Sequence, residues 1–168
     1  MVLTLVVLAG LRALDAPLRT KLSPSGIVSF ELAGELGLAQ SMIQTWGQGG
    51  QVYAGLSLGL DYLFMVAYAG CIGLACVLVA QSLLGRVEFL PALGVLLAWA
   101  QLGAALLDAV ENYALIQLLL GSQRQLWPAL ARGCAEPEFL IVVAGLVYIA
   151  GGAAVWRIKV RRQEKGSG

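Results

Sequence analysis

The sequence predicts an all-α integral membrane protein, a four-transmembrane-helix bundle with an additional amphipathic helix between the first and second spans. Three observations predict it. The 168-residue chain is 59% hydrophobic and only 12% charged, where soluble domains average about 45–50% apolar and about 25% charged residues. Its mean hydropathy is +0.81. Its apolar residues also gather in four runs, and crossing a bilayer takes about 20 such residues. Residues 1–165 read as a single transmembrane domain, and Gly166-Ser167-Gly168 reads as an appended linker.

The elements follow in order. The first span covers about residues 1–22 and carries Arg12 and Asp15, with no positive charge ahead of the apolar stretch as a signal peptide would have. Ser23-Pro24-Ser25-Gly26 breaks it. About residues 27–46 form the amphipathic helix, closed by Gly47-Gln48-Gly49-Gly50. The second span, about 51–84, stops at Gly85 and Arg86; the third, about 90–120, has Pro91 in its first turn, where a missing N–H costs nothing. The fourth, about 138–157, runs into Arg157, Lys159, Arg161, Arg162 and Lys165. That basic tail and Arg86 share one side of a four-span chain, so both termini are expected in the cytoplasm.

Absences narrow the chemistry. With no histidine, imidazole catalysis, a histidine-ligated haem and an imidazole zinc site drop out. Cys71 and Cys76 lie in an apolar run and Cys134 is expected in a loop; none forms a C-x-x-C pair. No phosphate-cradling glycine loop appears, and a net charge of +1 gives no steering toward nucleic acid. The expected partner is therefore the lipid bilayer. Gly55-Leu56-Ser57-Leu58-Gly59 and the Ala150–Ala154 run add small-residue surfaces on which a homo-oligomer would pack.

The informative feature is the set of ionisable residues inside the spans, each penalised by about 2.5–3.5 kcal/mol on insertion scales. At 100° per residue, Asp61 shares a helix face with Met65, Tyr68 and Ile72, while Gly55, Gly59 and Tyr62 point elsewhere. On the third span, Gln101, Ala104, Ala105, Asp108, Glu111 and Asn112 fall within about a 100° stripe that excludes Leu106 and Leu107. Rise per residue puts Asp61 and Glu111 about 9 Å, and Asp108 about 5 Å, from the centres of their spans toward the same side. Arg12 reaches nearly that layer. In the amphipathic helix, Glu31 and Glu35 border the apolar face, which would let Glu31 dip toward the layer from outside.

Closely spaced carboxylates must hold protons, bind a cation or open to water. The leading expectation is binding or transport of a proton, a divalent cation or a cationic amphiphile by Asp61, Asp108 and Glu111, with Asn112, Tyr68, Gln101 and Glu31 as partners and Arg12 tuning the charge. A metal held by Asp61, Asp108 and Glu111 would be an oxygen-loving divalent cation. Two alternatives stand beside it: a membrane-embedded acid–base or metal-assisted enzyme acting on a lipid or isoprenoid, and a non-catalytic assembly partner whose acids only fix helix pairing.

Overall fold

A computed structural model describes residues 1–85 and 88–166, with side chains in the last helix described to Val155. Arg86 and the side chains of the basic tail, which carried the orientation argument, lie outside the described residues, as does most of the expected 166–168 linker. The described chain is all-helical, with no strand. Its elements are α1 (Val2–Asp15), a 3-10 turn (Ala16–Leu18), α2 (Ile27–Glu31), α3 (Leu36–Leu83), α4 (Leu90–Leu119) and α5 (Leu126–Gly166). Three helices are long and apolar enough to cross a membrane: Leu36–Leu83, Leu90–Leu119 and Leu126–Val155.

Their surfaces are arranged for lipid. Leu74, Leu78, Leu96, Trp99, Leu106 and Leu140 are each more than 60% exposed, while the buried positions are often small, among them Ala54, Ser57, Ala69, Ala80, Ala104 and Ala114. Large apolar side chains outside and small ones between helices is the packing of membrane helices, where close backbone approach replaces the hydrophobic effect.

By contacts the chain divides into two compact units, Met1–Tyr68 with Ala105–Glu138, and residues 69–104 with 139 onward. In the first unit, α1 runs antiparallel to the middle of α3: Thr4 Oγ1 donates to Ala67 O at 3.4 Å, and Gly10 lies against Leu60. The helix stops at Asp15 because Pro17, in the following turn, cannot continue the hydrogen-bond ladder. At 14 residues, it is about 21 Å long, shorter than the first span read from sequence. Beyond it, the Trp46 indole N–H points at both Leu18 O (2.8 Å) and Ser23 Oγ (3.0 Å), and Phe30 meets the Trp46 ring edge-on at 5.2 Å. These groups anchor a core that includes Leu18, Phe30, Met42, Trp46, Leu58 and Leu115.

The expected amphipathic helix over 27–46 is two pieces. Gly34 takes φ +69°, a left-handed conformation that ends a helical run, and Gln125 fills the gap. Its Oε1 accepts from Leu36 N–H at 2.8 Å and its Nε2 donates to Gly34 O at 3.1 Å. That side chain supplies the cap missing from the local sequence. The 47–50 glycine stretch does break the helix: Gly47 leaves helical geometry (φ 63°, ψ −174°), so α3 is two helices joined across a kink. The second expected span is the helix that follows this kink and ends at Leu83.

The third span matches α4 within a residue. The fourth differs at its start, since α5 begins at Leu126 and passes through Pro137. An internal proline costs about 3 kcal/mol, but Ala131, Cys134 and Ala135 form a buried stripe at helical spacing that continues the helix across it. Cys134, expected in a loop, is therefore buried on a helix.

In the second unit, glycines set the helix approaches. Gly73 lies against the Ala98 backbone, Gly94 against Tyr148 and Ala80, and Gly152 against Val79. Tyr148 donates to Leu90 O at 2.9 Å. Gly55 and Gly59, by contrast, have none of the described residues near the space a side chain would fill.

Candidate functional site

The faces read from sequence are the faces that are buried. Met65, Tyr68 and Ile72 beside Asp61 are 9% exposed or less, as are Gln101, Ala104, Asp108, Glu111 and Asn112 on α4, whereas Leu106 is 70% exposed. In the first unit these faces bring Asp61 and Tyr68 of α3, Asp108, Glu111 and Asn112 of α4 and Glu138 of α5 together.

Two neutral donors link the carboxyls. Asn112 Nδ2 donates to Asp61 Oδ2 at 2.7 Å and to Asp108 Oδ1 at 2.9 Å, using both of its protons. The Tyr68 hydroxyl lies 2.9 Å from Glu138 Oε1 and 3.2 Å from Asp108 Oδ2. A chain of polar groups thus runs Asp61, Asn112, Asp108, Tyr68, Glu138 across three helices. Glu111, 3% exposed, lies within electrostatic range of Glu31, Asp108, Glu138 and Asp61.

The two donors differ in capacity. An amide nitrogen carries two protons and serves two carboxylates fully, but a phenol carries one. Tyr68 therefore serves either Asp108 or Glu138, and the arrangement closes when one of these carboxyls contributes a proton of its own. A buried, half-satisfied polar network is costly, so this proton count is the main chemical fact about the cluster.

Glu31 reaches the cluster from α2. Burial, followed by the charges of Asp61, Glu138 and Asp15, pushes its carboxyl up from the ordinary 4.5 to about 8. Glu35, in contrast, is exposed.

Two expected participants stand elsewhere. Arg12 is exposed and forms no ion pair among the described residues, because α1 turns it outward. The cation near the end of α1 is Arg19, whose Nε donates to Asp15 Oδ2 at 3.0 Å while Asp15 Oδ1 accepts from Ile27 N–H at 2.7 Å. Asp15 is thus a cap for α2, and the cluster has no cationic partner among the described side chains. Gln101 belongs to the second unit, where its Nε2 donates to Ile141 O at 3.1 Å. Among the described residues, no group of three His, Cys, Asp or Glu is disposed to hold a metal ion. Asn112 bridges the carboxyls of Asp61 and Asp108, and Asp108 also faces the Tyr68 hydroxyl.

Glu138 is the residue that sequence reasoning missed. It stands immediately after Pro137, at the first position of the expected fourth span, and was not placed among the site residues. The available signal was its spacing from Ala131, Cys134 and Ala135 at i+7, i+4 and i+3, one face of a helix continuing through the proline.

No family model, curated protein or solved structure matches this chain.

Proposed function

We propose that this chain is a small polytopic membrane protein whose buried carboxylate cluster binds protons and, in the bilayer, carries them between the two sides. One observation carries the reading: Tyr68, with one hydroxyl proton, is shared by Asp108 and Glu138. In this reading Asp108 and Glu138 exchange a proton through the Tyr68 hydroxyl, Asn112 holds Asp61 beside Asp108, and Glu111 and Glu31 extend the acidic path. Intramembrane carboxyls arranged in chains are the usual parts of proton relays.

The architecture we propose for this role has four spans, with α1 as the first. Its antiparallel course along α3 and its exposed Val2, Leu3, Leu5 and Val6 support insertion beside the longer helices. We also propose that α2 and residues 36–46 rest on the outer end of the bundle, and that both termini are cytoplasmic.

Infrared difference spectroscopy of the reconstituted protein tests the proton, and a pH-sensitive dye sealed in the proteoliposomes tests its movement. At neutral pH the carbonyl stretch of a protonated carboxyl is expected, lost or displaced in both Glu138→Gln and Tyr68→Phe. Proton flux under an imposed potential should exceed that of empty vesicles and fall at least tenfold in Tyr68→Phe. If no protonated carboxyl is present at neutral pH, the proposal fails. If the band is present without flux, the cluster binds protons but does not carry them.

A further inference from the structure

We propose that Gln101 marks an internal hydration site in the second unit, where a water molecule donates a hydrogen bond to its Oε1. Gln101 is 0% exposed, and its Oε1 is the buried side-chain atom that has no hydrogen-bond partner among the described residues. Its orientation is fixed by chemistry. The Nε2 group donates to Ile141 O at 3.1 Å; turning the amide over would set Oε1 against that carbonyl oxygen, two acceptors facing each other. The orphan is therefore an acceptor, and its ligand must be a donor.

Among the described residues no donor reaches that atom. The Gln101 amide is pressed against α5 at Gly145, where an added Cβ would lie 2.7 Å from Nε2 and 2.9 Å from Ile72 Cγ2. The Cys76 thiol, 0% exposed, is directed at Gly145 O, 3.8 Å away. Helix backbone N–H groups are committed to their own ladders. In the hydrocarbon region an acceptor without a donor is too costly to leave open. Both Gln101 and Gly145 are closed off from the surroundings, which excludes a lipid headgroup and leaves water as the hydroxyl donor small enough to enter. This inference does not depend on the proton reading of the carboxylate cluster.

Hydroxyl-radical footprinting of the intact protein in lipid nanodiscs, read by mass spectrometry, tests it, because a bound water generates radicals in place and labels what lies beside it. Cys76 and Gln101 both lie against Gly145, so Cys76 is the reporter, with the partly exposed Cys71 as the internal reference. Cys76 should be oxidised at a rate comparable to Cys71 despite its burial, and Gln101→Met should lower that rate several-fold while leaving Cys71 unchanged. The melting temperature of Gln101→Met should also fall by about 2–4 °C, since a satisfied polar group is lost. A dry orphan predicts the opposite sign, because its removal relieves an unpaired acceptor. An unlabelled Cys76 in the wild type, labelling that ignores the substitution, or a raised melting temperature each overturns the proposal. Should Gln101→Met fail to fold, wild-type labelling of Cys76 decides.

Discussion

Replacing Tyr68 by phenylalanine is the most direct test of how the carboxylate cluster is held together. The ring is 5% exposed, packs 5.4 Å from Phe64 and fills the same space in the variant, so the change removes one oxygen and little else. That oxygen lies 2.9 Å from Glu138 and 3.2 Å from Asp108. A hydrogen bond to a charged group contributes about 1.5–3 kcal/mol, and the variant also leaves two carboxyls facing each other without a donor between them. A loss of about 2–4 kcal/mol is expected at neutral pH, equivalent to roughly 5–15 °C in melting temperature for a chain of this size. The pH dependence is the sharper part. Acid supplies protons that let Asp108 and Glu138 bond to each other or to water directly, so the deficit should shrink as pH falls and grow as it rises. Melting curves of wild type and Tyr68→Phe in one detergent across pH 5 to 9 would measure it. Equal melting at every pH, or a deficit that widens in acid, would refute the assignment of Tyr68 as the bridging donor.

The remaining expectations concern the surroundings of that bridge. Asn112→Leu removes two donors from Asp61 and Asp108 and should cost about 2–4 kcal/mol, more than Asn112→Gln, as read by chemical unfolding in mixed micelles. For Glu31, a folded-state value of about 8 against an ordinary 4.5 means that the native state keeps a proton the unfolded chain has released. Stability should therefore be highest near and below pH 4.5 and decline toward pH 8, and Glu31→Gln should flatten this slope; an unchanged slope in the variant contradicts the assignment. Arg12→Ala should change stability by less than about 0.5 kcal/mol, being exposed and unpaired, whereas Asp15→Ala loses a cap and should cost about 1–2 kcal/mol. Comparable losses in both would restore Arg12 to the cluster.

How far the sequence was legible depended on whether the governing interactions were local. Helical periodicity identified the buried faces of α3 and α4, and with them Asp61, Tyr68, Asp108, Glu111 and Asn112, because 100° per residue is enforced by the backbone alone. The extent of α4 was legible for the same reason. Other features were decided at a distance. Nothing near Leu36 announces that Gln125 will cap it, so the split of 27–46 was invisible. Pro137 ordinarily ends a helix, and only the packing of Ala131, Cys134 and Ala135 overrides it, which hid Glu138. Arg12 was assigned to the acids by depth, a coordinate that ignores azimuth, and its azimuth points outward. Gln101 shares the stripe but falls in the other unit, because a stripe on one long helix can serve two separate sets of neighbours.

The Gln125 clamp also bears on how the chain is made. Leu36 takes its cap from a side chain 89 residues later, and Gly34 from the same side chain, 91 residues away. A chain emerging from its amino end has laid down α2 and all of α3 and α4 before that amide exists. Until then the first turn of α3 lacks its cap, and Glu31 can stay ionised in water. Closure of the 34–36 corner by Gln125 is thus a late event in biogenesis, and the acidic face is desolvated only once the helices that complete it are being assembled.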